Sequence, residues 1–167
     1  MTSRPPQLPG ASRFWTAPSD DPIKVFCGHC GCQPDRSAND VQSRVCTSCG
    51  MGLLLHASSV VAPTSTDPFL VVDGSLAVCA LSGRAERLLG VSETETVNKH
   101  VSELLVPADA GATKDALATS LMWAARGDAF PQNLVVRPTN AFGVRYWARI
   151  GQCGPSPAAL VVLATAG

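Results

Sequence analysis

The chain contains 167 residues, of which 13 are basic and 13 acidic, so its formal net charge is zero. Such a balance creates no overall field that would attract nucleic acid or an anionic membrane. Hydrophobic residues account for 46 % of the chain and charged residues for 16 %, which indicates a packed core and excludes disorder throughout. No apolar stretch fits a secretory signal or a bilayer span, so we expect a cytoplasmic protein without a membrane partner.

Composition divides the chain into four zones. Residues 1–22 contain five prolines and little periodicity, which is typical of a flexible tail. Residues 23–57 contain a cysteine cluster, and residues 58–67 are small, proline-containing and typical of a linker. Residues 68–167 show short apolar runs separated by turn residues, so the sequence predicts a small cysteine-rich module followed by a larger domain.

The cysteine-rich zone contains two C-x-x-C-G elements with 15 residues between them. Two cysteines three positions apart in a tight turn direct both sulfurs to one point, and the following glycine permits the sharp turn. Two such turns facing each other supply four thiolates in a tetrahedron, which is the arrangement of closed structural zinc sites. The predicted metal ligands are Cys27, Cys30, Cys46 and Cys49.

Zinc is the preferred metal, and iron is the alternative because a tetrahedron of sulfurs suits both. Thiols stay reduced in the cytoplasm, which favours a metal site over disulfides. The spacing leaves His29 and Cys32 as bystanders. The segment from Val25 to Leu55 resembles a zinc ribbon, which implies a stabilising module that docks on protein or nucleic acid. Nucleic acid is less favoured because the sequence shows no basic stripe.

The larger domain opens with a predicted hairpin. The apolar run at residues 68–73 ends in the turn pair Asp73-Gly74, and residues 75–82 form a second strand. Ser82 is placed to cap the helix GRAERLL, and Gly90 stands where a helix C-terminus favours a left-handed residue.

Two further short helical segments follow. Ser92 and Glu95 have the spacing of a capping box, which predicts a helix running toward His100. Residues 101–105 predict another short turn that ends before Pro107.

The longest helical pattern covers residues 109–128, followed by predicted strands at 130–138, 143–151 and 158–166. The apolar face of this helix consists of Leu117, Leu121, Ala124 and Ala125. Strands and helices that do not alternate one by one are typical of α+β domains with antiparallel sheets. The sequence therefore predicts an α+β fold, with a five-stranded antiparallel sheet and short helices on one of its faces.

The stretch PFLVVDGSLAVCALSGRAERLLGVSETETVNKHVSELLVPAD, with the elements after it, resembles a PAS domain over residues 68–166. The resemblance implies sensing or protein–protein signalling, with a small-molecule ligand held between helix and sheet in some members. Residues 83–106 contain no cysteine for flavin adduct chemistry, and residues 109–128 contain no histidine for haem. His100 is interpreted as a surface or helix-capping residue.

One predicted strand carries a candidate interface. In GVRYWARIG, apolar residues alternate with Arg145, Trp147 and Arg149, so one face fits the core and the other presents a tryptophan between two arginines. Tryptophan and arginine are typical interface residues, and an arginine stacked on tryptophan forms a cation–π contact. We expect a protein partner or a second copy of the chain to bind this sheet face.

Three other side chains are interpreted as structural. Trp123 is expected in the core or a pocket wall, and Cys79 and Cys153 are expected to be small buried hydrophobes.

The sequence contains no phosphate-binding loop and no catalytic constellation, so a non-enzymatic signalling or regulatory adaptor is the leading hypothesis. Three alternatives stay open: a transcription-associated protein that contacts nucleic acid or polymerase, a redox protein with iron in the four-cysteine site, and a haem or flavin sensor. Abundant Ala, Val and Gly, with Arg exceeding Lys, are typical of a bacterium with GC-rich DNA.

Overall fold

The computed structural model describes residues 21–34, 43–128 and 130–166. A two-stranded antiparallel sheet contains β1 (Ile23–Cys27) and β2 (Leu54–Ser58). A six-stranded sheet contains β3 (Phe69–Asp73), β4 (Val78–Leu81), β5 (Leu105–Pro107), β6 (Gln132–Pro138), β7 (Tyr146–Cys153) and β8 (Ala158–Thr165). The helices are α1 (Gly83–Leu89), α2 (Glu93–Thr96) and α3 (Ala116–Arg126), with a 3₁₀ turn at Val101–Glu103. The predicted tail lies almost entirely outside the described residues.

Every strand pair in the larger sheet is antiparallel, and the spatial order is β4-β3-β8-β7-β6-β5. The α+β class and the order of elements expected from the PAS resemblance are confirmed. The sheet has one strand more than predicted, because Leu105–Pro107 pairs with β6 although its sequence suggested only a turn before a proline. Pro107 is tolerated there because this short strand lies at the sheet edge.

Apolar side chains from the helices and from one face of the sheet form the inner core. The predicted face of α3 is buried in this core. Strand residues in the same core include Leu70, Val72, Leu81, Val136, Ala148, Ile150, Val161 and Leu163. The space between the helices and the sheet is therefore occupied by packed side chains.

Helix capping at α1 follows the prediction. The Ser82 hydroxyl accepts a hydrogen bond from the Ala85 amide at 3.1 Å and another from the Phe69 amide at 2.9 Å. Gly90 ends the helix with a φ of 67°. One buried hydroxyl thus fixes the helix start and joins it to β3.

Other local predictions are wrong in detail. Ser92 makes no capping hydrogen bond to the α2 backbone; its hydroxyl instead donates to the Glu95 carboxylate at 2.9 Å, and α2 has only four residues. The hairpin turn is longer than the two-residue turn at Asp73-Gly74, because the Asp73 carboxylate accepts from the Ser75 and Ala77 amides. α3 begins at Ala116 because the preceding residues form turns.

The β1–β2 hairpin packs on the outer face of the sheet, opposite the helices. Phe26 is fully buried, and its ring meets that of Phe69 edge-to-face at a centroid distance of 5.6 Å. The amide and carbonyl of His56 pair with those of Gly154, both at 2.9 Å. The cysteine-rich module therefore shares a hydrophobic core with the sheet.

The expected linker forms part of the same core. Val61 is only 1 % exposed, and a Cβ placed on Gly151 would come within 2.6 Å of its side chain. Ala62 is also buried, and the Gln33 side chain donates to the Pro63 carbonyl at 2.8 Å. This segment holds the module against β7 through packing and a hydrogen bond.

Candidate functional site

The two C-x-x-C-G elements bring four sulfurs together. The Sγ atoms of Cys27, Cys30, Cys46 and Cys49 all lie within 4.8 Å of one another. The distance from Cys27 to Cys49 is 3.6 Å and that from Cys30 to Cys46 is 3.9 Å. A zinc–sulfur bond of about 2.3 Å gives a tetrahedron whose edges are about 3.8 Å. The four sulfurs therefore fit a single tetrahedral ion.

Glycines make the two turns possible in the way the motif predicts. Gly31 and Gly50 follow the second cysteine of each element and have φ values of 71° and 69°, in the left-handed region. At Gly31 space is restricted as well, since a Cβ would lie 2.6 Å from the Thr64 carbonyl oxygen. A side chain here would strain the backbone and push the turn away from the residues preceding β3.

Backbone amides point at the sulfurs and stabilise them as thiolates. The amides of His29 and Cys30 approach Cys27 Sγ at 3.4 Å, and the Gly52 amide approaches Cys49 Sγ at 3.4 Å. Such N–H···S contacts offset negative charge on thiolates that coordinate a metal. The donor set thus fits a metal centre in chemistry as well as in distance.

Burial and hydrogen bonds shift the pKa values of the four cysteine thiols in opposite directions. Burial raises the pKa of Cys27 and of Cys30. Burial also opposes ionisation of Cys46, but hydrogen bonds from the Cys49 and Ser48 amides and from the Cys27 and Cys30 thiols together lower its pKa to about 6. The pKa of Cys49 is lowered chiefly by the Gly52 amide. Because metal ions bind thiolates and not thiols, metal binding at these cysteines displaces protons and is pH-dependent.

His29 and Cys32, expected to be bystanders, both have specific contacts. His29 Nδ1 lies 3.5 Å from a Glu93 carboxylate oxygen, and the Gly83 amide donates to the His29 carbonyl at 3.3 Å. Cys32 Sγ lies 3.9 Å from Cys46 Sγ and 3.1 Å from the Ser48 hydroxyl. The first element is thus tied to the helical layer, and a fifth sulfur touches the metal site.

The candidate interface residues lie along one strand of the outer face. Trp147 is 49 % exposed and stands between Val135 on β6 and Ala164 on β8. Arg149 is half-buried, and its Nε is enclosed without a hydrogen-bond partner among the residues that the structure describes. Arg145 is exposed just before β7. We call these three residues the arginine–tryptophan face.

The β1–β2 hairpin and the arginine–tryptophan face divide the outer face of the sheet between them. The outward residues of β6, β7 and β8 include no carboxylate; they are Asn133, Val135, Arg137, Trp147, Arg149, Gly151, Cys153, Ala158, Leu160, Val162 and Ala164. The sequence predicted a cation–π contact between an arginine and Trp147. Within the described residues, the cation–π contact of this region instead joins Arg137 to the Phe142 ring, at 4.6 Å from its centroid. The uncovered half is therefore cationic and aromatic.

Two of the structural expectations are wrong. Trp123 is 53 % exposed on α3, since the core-facing positions of that helix hold smaller residues. Cys79 is exposed on β4, whereas Cys153 is buried as expected, and burial raises its pKa to about 12. His100 does cap the 3₁₀ turn, since its Nδ1 accepts from the Ser102 amide at 3.3 Å.

A groove of about 510 Å³ runs between the cysteine-rich module and the sheet. Its walls are mainly apolar, with Leu53 and Leu55 on one side and Val71 and Ala80 on the other. The groove was not predictable from the sequence, because it arises from contact between two modules.

None of the helices in the described ranges is both long and apolar enough to cross a membrane.

No protein-family model matches the chain, and neither does any curated protein. Solved structures do match. The structural neighbours are PAS domains. The PAS domain of nitrogen regulation protein NR(II) from Vibrio parahaemolyticus has 19 % identity and a TM-score of 0.42, covering 60 % of this chain and 90 % of that chain. The PAS domain of an HTR-like protein from Haloarcula marismortui has 14 % identity and a TM-score of 0.44, covering 60 % and 81 %.

A third neighbour is the photoactive yellow protein domain of the sensor histidine kinase Ppr from Rhodospirillum centenum. It has 14 % identity and a TM-score of 0.45, covering 60 % of this chain and 85 % of that chain.

Proposed function

We propose that this chain is a non-enzymatic signalling or regulatory adaptor. Its PAS-like domain acts by binding a protein partner, and the cysteine-rich module is a structural zinc ribbon that covers half of the sheet's outer face. The observation that carries this proposal is the shared core between ribbon and sheet, which leaves the arginine–tryptophan face as the accessible half. A residue pair such as Trp and Arg on a rigid sheet is typical of binding surfaces.

Charge favours a partner that differs from this chain. A symmetric dimer through the arginine–tryptophan face would bring Arg145 and Arg149 of one copy toward the same residues of the other. Like charges facing each other across an interface are unfavourable, and no outward carboxylate on these strands offsets them. An acidic segment with aromatic or aliphatic side chains matches this surface better.

Native mass spectrometry of the purified chain tests the metal and the subunit number together. We expect one zinc ion per chain and a single subunit. If the chain instead bound one iron ion and showed a visible absorption band, an electron-transfer function would be favoured over the adaptor proposal. A mass increase matching haem or flavin would favour a cofactor-based sensor.

Binding of a defined acidic peptide tests the surface. A synthetic peptide rich in glutamate and containing one aromatic residue is titrated by calorimetry, with a lysine-rich peptide as the charge control. Trp147→Ala should weaken binding at least about tenfold, and affinity should fall with added salt. Trp123→Ala is the matched control, because Trp123 is similarly exposed on the helical side. Equal affinity of the two variants, or a dimer that Trp147→Ala dissociates, would contradict the proposal.

A further inference from the structure

Cys32 stands beside the metal site without belonging to its four-sulfur set. Its Sγ is 3.9 Å from Cys46 Sγ, the same distance that separates Cys46 from its fellow ligand Cys30. The Ser48 hydroxyl lies 3.1 Å from the Cys32 sulfur and holds it on the Cys46 side. Cys32 is therefore a fifth sulfur adjacent to the four predicted ligands.

The two sulfurs differ in access. Cys32 is partly exposed, whereas Cys46 is 1 % exposed. An oxidant in solution therefore reaches Cys32 before Cys46, whereas the ligands Cys30 and Cys49 are partly exposed like Cys32. The 3.9 Å separation between the two sulfurs must shorten by about 2 Å to give a disulfide bond.

We propose that Cys32 is the oxidation site of this metal centre and forms a disulfide with Cys46. A hydroperoxide oxidises the Cys32 thiol to a sulfenic acid and leaves as the alcohol or, from hydrogen peroxide, as water. The Cys46 thiolate then attacks the Cys32 sulfur; the S–O bond breaks, and the hydroxide leaves as water after taking one proton. Two electrons have passed from the two sulfurs to the peroxide.

The disulfide removes one ligand from the metal. Thiolates bind zinc and disulfide sulfurs do not, so three thiolates stay and the ion is held weakly. Loss of the metal would also affect the sheet, because β1 contains both the ligand Cys27 and Phe26, which packs in the shared core. Oxidation would therefore loosen the cover of the outer face. This step rests on the zinc ribbon of the proposed function.

Peptide mapping of the full chain after treatment with hydrogen peroxide tests the bond itself. Trypsin cuts after Lys24, Arg36 and Arg44, so Cys32 and Cys46 fall on separate peptides that the disulfide joins. Fragmentation of the joined pair should locate the bond at Cys32. The mapping is informative whether the bound metal is zinc, iron or neither, so it separates this proposal from the identity of the metal.

Metal release supplies the second measurement. Cys32→Ser and Cys32→Ala should retain the metal content and melting temperature of the native chain, because Cys32 is not a ligand. Both should release metal at least about tenfold more slowly under peroxide, since a neighbouring thiol reacts far faster than one in solution. Cys79→Ser, which removes an exposed thiol on β4, should behave like the native chain. Release from the Cys32 variants at the native rate, or a mapped disulfide that excludes Cys32, would overturn the proposal.

Discussion

Truncating Phe26 to alanine should destabilise the sheet domain although Phe26 lies in the cysteine-rich module. The ring is fully buried and contacts Phe69 at 5.6 Å between centroids. Phenylalanine-to-alanine changes in cores cost about 3–5 kcal/mol, and the edge-to-face pair is included in that figure. A loss of this size is a large part of the roughly 5–15 kcal/mol that holds a typical domain together. The expected fall in melting temperature is roughly 10 °C.

Urea unfolding followed by tryptophan fluorescence is the assay. The measurement is made in a Trp15→Phe background, so that the fluorescence comes from Trp123 and Trp147, which both belong to the sheet domain. The signal then reports a part of the chain to which Phe26 does not belong by sequence. Ile23→Ala is the matched control on the same strand; that side chain is 66 % exposed and should change stability by no more than about 0.5 kcal/mol. If Phe26→Ala left the tryptophan transition where it was, the shared core would not couple the two modules.

Three further perturbations follow from the site and its turns. Cys49→Ser should remove the bound metal, as measured by elemental analysis, and lower the melting temperature, whereas a chelator should have the same effect on the native chain and little on the variant. Gly31→Ala should cost at least about 1 kcal/mol, because its φ is positive and a Cβ would lie 2.6 Å from a carbonyl oxygen; Gly74→Ala, with open space around it, is the control in the same urea titration. A hydrogen bond from Ser75 lowers the pKa of Asp73 in the folded chain. The ionised Asp73 therefore stabilises the fold above the unfolded-state pKa of about 3.9, and this stabilisation is lost as the pH falls through the lower folded-state pKa. Unfolding free energies measured from pH 2 to 7 should therefore lose part of their acid dependence in Asp73→Asn; an unchanged profile would contradict this reasoning.

Features that depend on near neighbours in the chain were predictable. The C-x-x-C-G spacing fixes where sulfurs point, and Ser82 and Gly90 mark the ends of α1 through contacts within one helical turn. Alternation along β7 likewise identified which residues face the core.

Features that depend on distant contacts were not predictable. The strand at Leu105–Pro107 exists because β6 is available to pair with it, and its three residues carry no strand pattern of their own. Cys32 was set aside on spacing, yet Ser48 and Cys46 reach it through the fold. The burial of Val61 likewise depends on β7, which comes far later in the sequence.

The central position of β8 constrains the order in which the molecule can assemble. β8 pairs with β3 on one side and β7 on the other, and it supplies Leu160 and Val162 to the surface on which Phe26 rests. Metal binding can close the two cysteine turns early, because they are near in sequence. Docking of that hairpin requires β3 and β8 to pair, and these strands are far apart in the sequence, so the entropy of bringing them together slows this step. We therefore expect the hairpin to dock late in folding, on a sheet whose central strands are already paired.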